Sequence, residues 1–490
     1  MLSRRKAGTA VNVDDREAFI ADYLRELRAN NAGVFVGAGL SRGAGYVDWM
    51  GLLAPVADEL GLDVTRETDL VGVAQFHVNA NADNRHQLNQ LLVHEFSDLH
   101  DPTENHLLLA RLPIGLYWTT NYDRLIERSL EISGKRADAK YNIKQLATTR
   151  RGRDAVIYKM HGDIEHPADA VLTKDDYERY HRTHGPFINA LAGDLVEHTF
   201  LFLGFSFSDP NLDYVLGRIR ATFERNQRRH FCLMKKRIRL AGESDRDFQY
   251  AINKQALMTR DLMRFNIKTI FVNDYPEMTG ILRTIVNRFR RRTVFIAGSA
   301  ADYGPWGRAA TEGFLVRLAA ALIDQDYRIS SGFGLGIGGA IVAGATQAIY
   351  SSKVRSIDEQ LILRPFPVGI ADPKEREHTY RRYREELLAQ AGVAIFVMGN
   401  KESSGTIVAA DGMREEFDLA RRLGLHVIPI GASGFVSSDL WTQVMADFDA
   451  LFPTAGKAAK NLLERIGRPT TRPEDLLDPV IRLVNLLSKE

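Results

Sequence analysis

The sequence predicts an α/β protein made of two Rossmann-like domains in series, each a mostly parallel sheet covered by helices. Three observations carry that expectation. Short apolar runs alternate with longer helical stretches along nearly the whole chain, which is the pattern of parallel strands joined by helical crossovers. Several of these runs stop at glycines or small polar residues, as strands do where their loops turn over a ligand site. The series also restarts after the basic run Arg288-Phe289-Arg290-Arg291-Arg292, and a chain of 490 residues is too long for one ordinary core.

Between Asp14 and Asn30, the residues Phe19, Ile20, Tyr23, Leu24 and Leu27 recur at helical spacing and predict an amphipathic first helix. Residues 33–36 then read as a buried strand, stopped by Gly37-Ala38-Gly39. The runs 115–118, 155–158, 199–203, 231–234 and 267–272 repeat that pattern. A second series opens at 293–297 and continues at 327–330, 360–363, 393–397 and 426–430, with helices such as 313–324 and 375–390 between. Residues 329–352 carry no charge and have the length of a membrane span. Gly332, Gly334, Gly336, Gly338, Gly339 and Gly344 interrupt them, so a strand, a glycine turn and a small-residue helix fit better. The boundary is expected near 285–292, dividing the chain into a tail (1–13), a first domain (14–287) and a second (288–490).

Composition narrows the function. Hydrophobic residues make up 45% and charged residues 26%, ordinary for a globular protein. The net charge of +2 argues against bulk nucleic acid or an acidic membrane as the main partner. Cys232 is the single cysteine, which leaves no internal disulfide and no cysteine zinc site. The first residues lack the apolar core of a secretory signal, and a cytoplasmic location is expected.

Four clusters in the first domain follow strand ends. Gly37-Ala38-Gly39-Leu40-Ser41 offers small residues that let backbone amides approach a pyrophosphate, though a glycine turn is also a common structural device. In Thr119-Thr120-Asn121-Tyr122-Asp123, Asn121 or Asp123 could serve chemistry or simply cap the next helix. His161-Gly162-Asp163 places a histidine at another strand end, where it is a candidate base or a satisfied structural residue. Residues 204–210 follow the strand 199–203, and Asp209-Pro210 there reads as an ordinary helix start. No metalloprotease, P-loop or nucleophile-elbow motif is present, and the spacing of His161 and His166 suits no metal set, so no metal is expected.

In order and joint placement, these clusters resemble the sirtuin-like NAD-consuming fold over residues 14–285. The resemblance implies that Asn121 orients ribose and water, that His161 is the general base, and that Asp123 lies near the nicotinamide amide. It also implies that Gly37, Ala38 and Ser41 line the phosphates, and that Ser206 lies toward the adenosine. Sirtuin deacylases carry a four-cysteine zinc module, which this chain lacks, and Thr120 replaces their glutamine. What remains is an NAD pocket with a base, and its simplest chemistry is hydrolysis of the nicotinamide–ribose bond, with NAD+ as substrate and no cofactor required.

The second domain has two glycine-rich turns at strand ends, Gly298-Ser299-Ala300 and the run 330–339. Such turns suit phosphates without specifying a nucleotide. Arg384, Lys401 and Glu416 are candidate readers downstream, although Arg384 also reads as one charge of a solvated helix. The pattern resembles the SLOG family, whose phosphoribohydrolase members use a P-G-G-x-G-T-x-x-E element. Here that region reads Gly399-Asn400-Lys401-Glu402-Ser403-Ser404-Gly405-Thr406, with its acid displaced to Glu415 or Glu416, which favours sensing over hydrolysis.

A sirtuin-like domain followed by a SLOG domain resembles the effector family of the Thoeris antiphage systems. Membership would imply that a TIR-domain partner protein makes a cyclic ADP-ribose isomer, which binds the SLOG domain as activator. A homotetramer or higher assembly then destroys cellular NAD+. The implied sensor residues are Gly298, Ser299, Leu335, Phe366, Arg384, Lys401, Gly412 and Glu416. Two rival readings remain at this stage: a non-catalytic NAD or ADP-ribose-binding regulator, and an NAD-dependent deacylase or ADP-ribosyltransferase.

Overall fold

Seven strands pair in parallel in the first part of the chain: β1 (Ala32–Val36), β2 (Leu116–Thr119), β3 (Ala137–Lys140), β4 (Ala155–Lys159), β5 (Thr199–Leu203), β6 (His230–Lys235) and β7 (Ile267–Val272). Their spatial order is β3-β4-β2-β1-β5-β6-β7. The computed structural model describes residues 13–207, 209–224, 226–353, 355–367 and 369–489. The chain divides into two units between Val286 and Asn287. The expected tail lies outside the described residues except for Val13, where the helix Val13–Arg28 begins.

Every residue of β1 and β5 is buried, because helices cover both faces of the sheet. Phe35, Trp118, Phe200 and Phe202 fill one side against Phe187, Leu191 and Val215. Trp118 still satisfies its indole, which donates to Asp194 at 2.8 Å. Edge strand β3, Ala-Asp-Ala-Lys, went unread in the sequence because its polar residues hide any apolar period; Asp138 pairs there with Lys140 at 2.8 Å and Arg153 at 3.0 Å.

Register brings the predicted clusters to one level. Val36 stands opposite Thr119 on one side and Leu203 on the other, and Thr119 stands opposite Lys159. The residues that leave the sheet next are therefore Gly37, Thr120, Met160 and Gly204. The chain runs from β1 toward β2 in one direction and from β5 toward β6 in the other, so the topological switch point, where α/β sheets bind ligands, lies between β1 and β5. The two loops there interlock: Gly37 N–H donates to Leu203 O and Gly39 N–H to Gly204 O, each at 2.9 Å. Gly204 has φ +64°, and a Cβ on it would sit 2.2 Å from Leu40 N, so only glycine fits.

The second unit repeats the plan with β8 (Thr293–Ser299), β9 (Arg328–Ser331), β10 (Leu361–Leu363), β11 (Val393–Met398) and β14 (His426–Pro429), in the order β10-β9-β8-β11-β14. Between β11 and β14 lies an antiparallel hairpin of β12 (Asn400–Ser403) and β13 (Thr406–Ala409), which the sequence reading missed. Its switch point lies between β8 and β11, where Ser299 stands opposite Met398. The charge-free stretch resolves into β9, a glycine turn and the helix Gly338–Tyr350. Among the described residues no helix is long and apolar enough to cross a membrane.

A buried cation ties the site loops of the first unit together. Lys159, the last residue of β4, is fully buried. Its ammonium donates to the carbonyls of Tyr122 at 3.2 Å and Asp123 at 2.6 Å, and pairs with Asp163 and, at 3.3 Å, with Glu127. Burial works against its charge, but the two carboxylates outweigh it and hold the ammonium above the ordinary lysine range. Glu127, the more distant carboxylate, is pushed up by burial. Lys159→Met would leave these acids without their cation, and such losses typically cost about 3–5 kcal/mol. Urea unfolding should show the first unit destabilised by that order and the second unit unchanged.

Candidate functional site

Around the first switch point, the loop after β1, the loop after β2 and the loop after β4 converge. Ser41 Oγ donates to Asp123 Oδ2 at 2.7 Å and accepts from Asn121 Nδ2 at 2.9 Å. This chain settles which way the Asn121 amide points. Ser41 has spent its proton on Asp123, so it must receive one from Asn121 Nδ2, and Asn121 Oδ1 is left as the outward acceptor. That oxygen is buried and has no partner among the described residues. Asp123 Oδ1 accepts Leu125 N–H at 3.0 Å, so Asp123 is also the helix-starting residue that one reading expected. Asn121, Ser41 and Asp123 are all less than 9% exposed.

Ala38, Ser41, Val47, Trp49, Thr120 and Asn121 help to line the cavity beside this chain, whose volume is about 10 Å³. That is room for about one water, not for a dinucleotide. Trp49 links this cavity to His161, its ring standing 6.5 Å from the imidazole. His161 is 1% exposed and sits edge-on to Tyr177 at 5.4 Å. Its Nε2 lies 3.0 Å from Asp209 Oδ2 but without the in-line approach of a hydrogen bond, and its Nδ1 has no partner among the described residues. Ser206 is exposed on the loop after β5, away from the cavity lining, and Ser208 of that loop lies outside the described residues.

Sequence reasoning missed Trp49, Tyr177 and the second task of Asp209. The Asp209-Pro210 pair does start the helix Pro210–Phe223, with Oδ1 accepting Leu212 N–H at 2.9 Å. Nothing local signals that the other oxygen faces a histidine from a different loop. Among the described residues no cluster of His, Cys, Asp and Glu could hold a metal ion.

In the second unit, Arg384 packs against neighbouring side chains rather than on a solvated helix face: its side chain is 13% exposed. The guanidinium lies 5.2 Å from the Phe366 ring centre and 5.8 Å from that of Tyr380. It pairs with Glu415, and its Nε is 3.8 Å from Glu416. A Cβ at Gly412 would come within 2.6 Å of Arg384 Nη2, so glycine there admits the arginine. Glu416 is buried, and its carboxyl rises to about 7 because burial outweighs Arg384.

Ser299 Oγ donates to the Asn400 carbonyl at 2.9 Å, beside Gly298. The Asn400 amide ties the loop after β8 by accepting from the N–H groups of Ala301 and Asp302. Asn400 is a further residue that the sequence reading did not single out. Lys401 pairs with Asp411 at 3.3 Å, and Leu335 is exposed on the glycine turn after β9. A Cβ at Gly334 would meet the Gly298 carbonyl at 1.9 Å, so that turn packs directly on the end of β8.

Residues 115–257 match the family described as a SIR2-like domain, and residues 277–487 match the Sir2- and TIR-associating SLOG family. The chain is 48% identical to the NAD(+) hydrolase ThsA of Bacillus cereus (strain MSX-D12), covering 96% of this chain and 98% of that protein. It is 46% identical to the NAD(+) hydrolase ThsA of Acinetobacter baumannii (strain 532279), covering 96% and 99%. A weaker likeness, 25% over 38% of this chain and 19% of the other, is to defense-associated sirtuin 2 of Bacillus subtilis. With both domain families present in this order and near-complete coverage, the chain belongs to the ThsA NAD(+) hydrolase family.

Proposed function

We propose that this chain is a Thoeris antiphage effector: an NAD+ hydrolase that depletes cellular NAD+ when its second unit binds a cyclic ADP-ribose isomer made by a TIR-domain partner protein. Its near full-length likeness to NAD(+) hydrolases carries the hydrolase reading, and the resemblance to sirtuins suggests the roles. The diphosphate lies on the Gly37-Ala38 turn beside Ser41, the nicotinamide amide near Asp123, and the adenosine toward Ser206. The C1′–N bond breaks with its electron pair going to the cationic nicotinamide ring, which leaves neutral, and the ribose becomes oxocarbenium-like. Water held by Asn121 Oδ1 attacks C1′ while His161 takes its proton, a step in which a positioned base contributes about 10²–10⁴-fold. The products are nicotinamide, ADP-ribose and one proton.

Control by the second unit is what the likeness to the Thoeris effectors implies, and the side chains of that unit suggest how a ligand is read. Arg384 is the natural reader of a ligand phosphate, with Lys401 as a second cation, and Glu416 suits ribose hydroxyls. Gly298, Ser299, Leu335, Phe366 and Gly412 complete the pocket. For the ligand to activate, it must bind the active homotetramer or higher assembly more tightly than the resting one.

Three outcomes follow. Asn121→Ala and His161→Ala should each lower nicotinamide release by at least about 100-fold while circular dichroism and melting stay near wild type. A soluble His161→Ala protein with near wild-type turnover would end the base assignment. Because the mechanism uses no metal, EDTA should leave activity unchanged; loss with EDTA that zinc or manganese restores would contradict it. Arg384→Ala should lose binding of cyclic ADP-ribose isomers by calorimetry and the response to them, yet keep NAD+ binding. An Arg384→Ala protein that responds like wild type would remove Arg384 from the sensor.

A further inference from the structure

The first unit contains a carboxylate–imidazole pair that the proposed reaction has not yet used. Asp209 divides its oxygens between two tasks. Oδ1 accepts Leu212 N–H at 2.9 Å and starts the helix Pro210–Phe223. Oδ2 lies 3.0 Å from His161 Nε2 and accepts the Tyr177 hydroxyl at 3.2 Å. Both partners are buried, the His161 side chain 1% and the Asp209 side chain 8% exposed. A helix start needs only one oxygen, and asparagine would serve as well as aspartate. The second oxygen therefore needs its own explanation.

We propose that Asp209 is the positioning residue for His161, holding the proton on Nε2 so that Nδ1 is the lone pair that takes the proton from water. This rests on the reading of His161 as the base. An imidazole can accept at one nitrogen only if the other carries the proton, and a fixed carboxylate decides which. Neither ring nitrogen makes a hydrogen bond among the described residues, and Nε2 is the one held 3.0 Å from the carboxylate. The same carboxylate stabilises the imidazolium formed as water gives up its proton. At 3.0 Å the two atoms are already within hydrogen-bond distance.

The surroundings keep the pair in the required charge states. Burial raises the Asp209 carboxyl, but the His161 ring, the Leu212 N–H and the Tyr177 hydroxyl together hold it below the ordinary carboxylate range. It is therefore ionised wherever the enzyme works. The other titratable groups facing the pair are Tyr177, Tyr180, Tyr122 and His184. The three tyrosines are pushed up by burial and stay neutral, and His184 is pushed down by burial first and by His161 second. Asp209 is thus the one anion among these groups near neutral pH.

Asp209→Asn tests the pairing because it keeps the helix start. With Oδ1 of the new amide on Leu212 N–H, its NH₂ faces Nε2 and demands an acceptor there, which moves the ring proton to Nδ1. The full chain is assayed for nicotinamide release from NAD+ with a panel of cyclic ADP-ribose isomers. The expected result is a fall in kcat of about 100-fold or more, with KM for NAD+ within about threefold and melting near wild type. The acid limb of the kcat profile should also move to lower pH, since the imidazolium has lost its counter-charge. A kcat within threefold of wild type with an unmoved acid limb would reduce Asp209 to a helix start. If Asp209→Asn does not fold, Tyr177→Phe reads the same contact. Removing its hydroxyl from Oδ2 should make the carboxylate a stronger partner and raise the acid limb, and an unmoved limb overturns the proposal. His161→Ala run alongside separates the two claims, because retained turnover there overturns the base reading itself.

Discussion

One buried ammonium holds the first site together. Lys159 ends β4 where the loops bearing Asn121 and His161 leave the sheet, and it reaches both: two carbonyls of the first and the carboxylate of Asp163 in the second. A charge with no access to water must be matched at close range. The loops therefore have few alternative positions that keep Lys159 satisfied. Once they are placed, the short chain from Asn121 through Ser41 to Asp123 follows, and so does the orientation of the Asn121 amide. The close approach of Gly204 to the turn at Gly37 and Gly39 closes the remaining side.

The two units share a plan but furnish their switch points with different chemistry. Each sheet reverses its winding once, and each presents a glycine turn at that point. In the first unit the polar groups beside the turn are a free amide oxygen and an imidazole, which suit a reaction. In the second they are a half-buried arginine against two aromatic rings and a carboxyl group raised to about 7, which suit recognition.

Much of this was legible in the residues. Buried parallel strands are continuous apolar runs, so β1, β5 and β11 could be read directly, and the clusters after β1, β2, β4 and β5 were the candidate site. What escaped lacked an apolar period or depended on distant partners. Edge strand β3 alternates alanines with charges, β12 is polar, and β13, though mostly apolar, is a four-residue strand exposed along its length. Lys159, Asn400 and the second oxygen of Asp209 look ordinary in sequence, since their partners lie elsewhere in the chain. On pattern alone Arg384 read more readily as a solvated helix charge, and its packing against Phe366 and Tyr380 is visible only in the fold. The identity of the signal came from family resemblance alone, because glycines and cations specify phosphate and not the rest of the molecule.

The central claim is that NAD+ reacts where the loops after β1, β2 and β4 meet. A crystal structure of the full chain with a carbocyclic NAD+ analogue, which cannot be cleaved, tests it most directly. The account predicts the analogue's diphosphate on the Gly37-Ala38 turn and its C1′ within reach of Asn121 Oδ1, with Trp49 displaced to open the cavity. An analogue seated elsewhere, with Asn121 and His161 out of reach of its C1′ carbon, would contradict it.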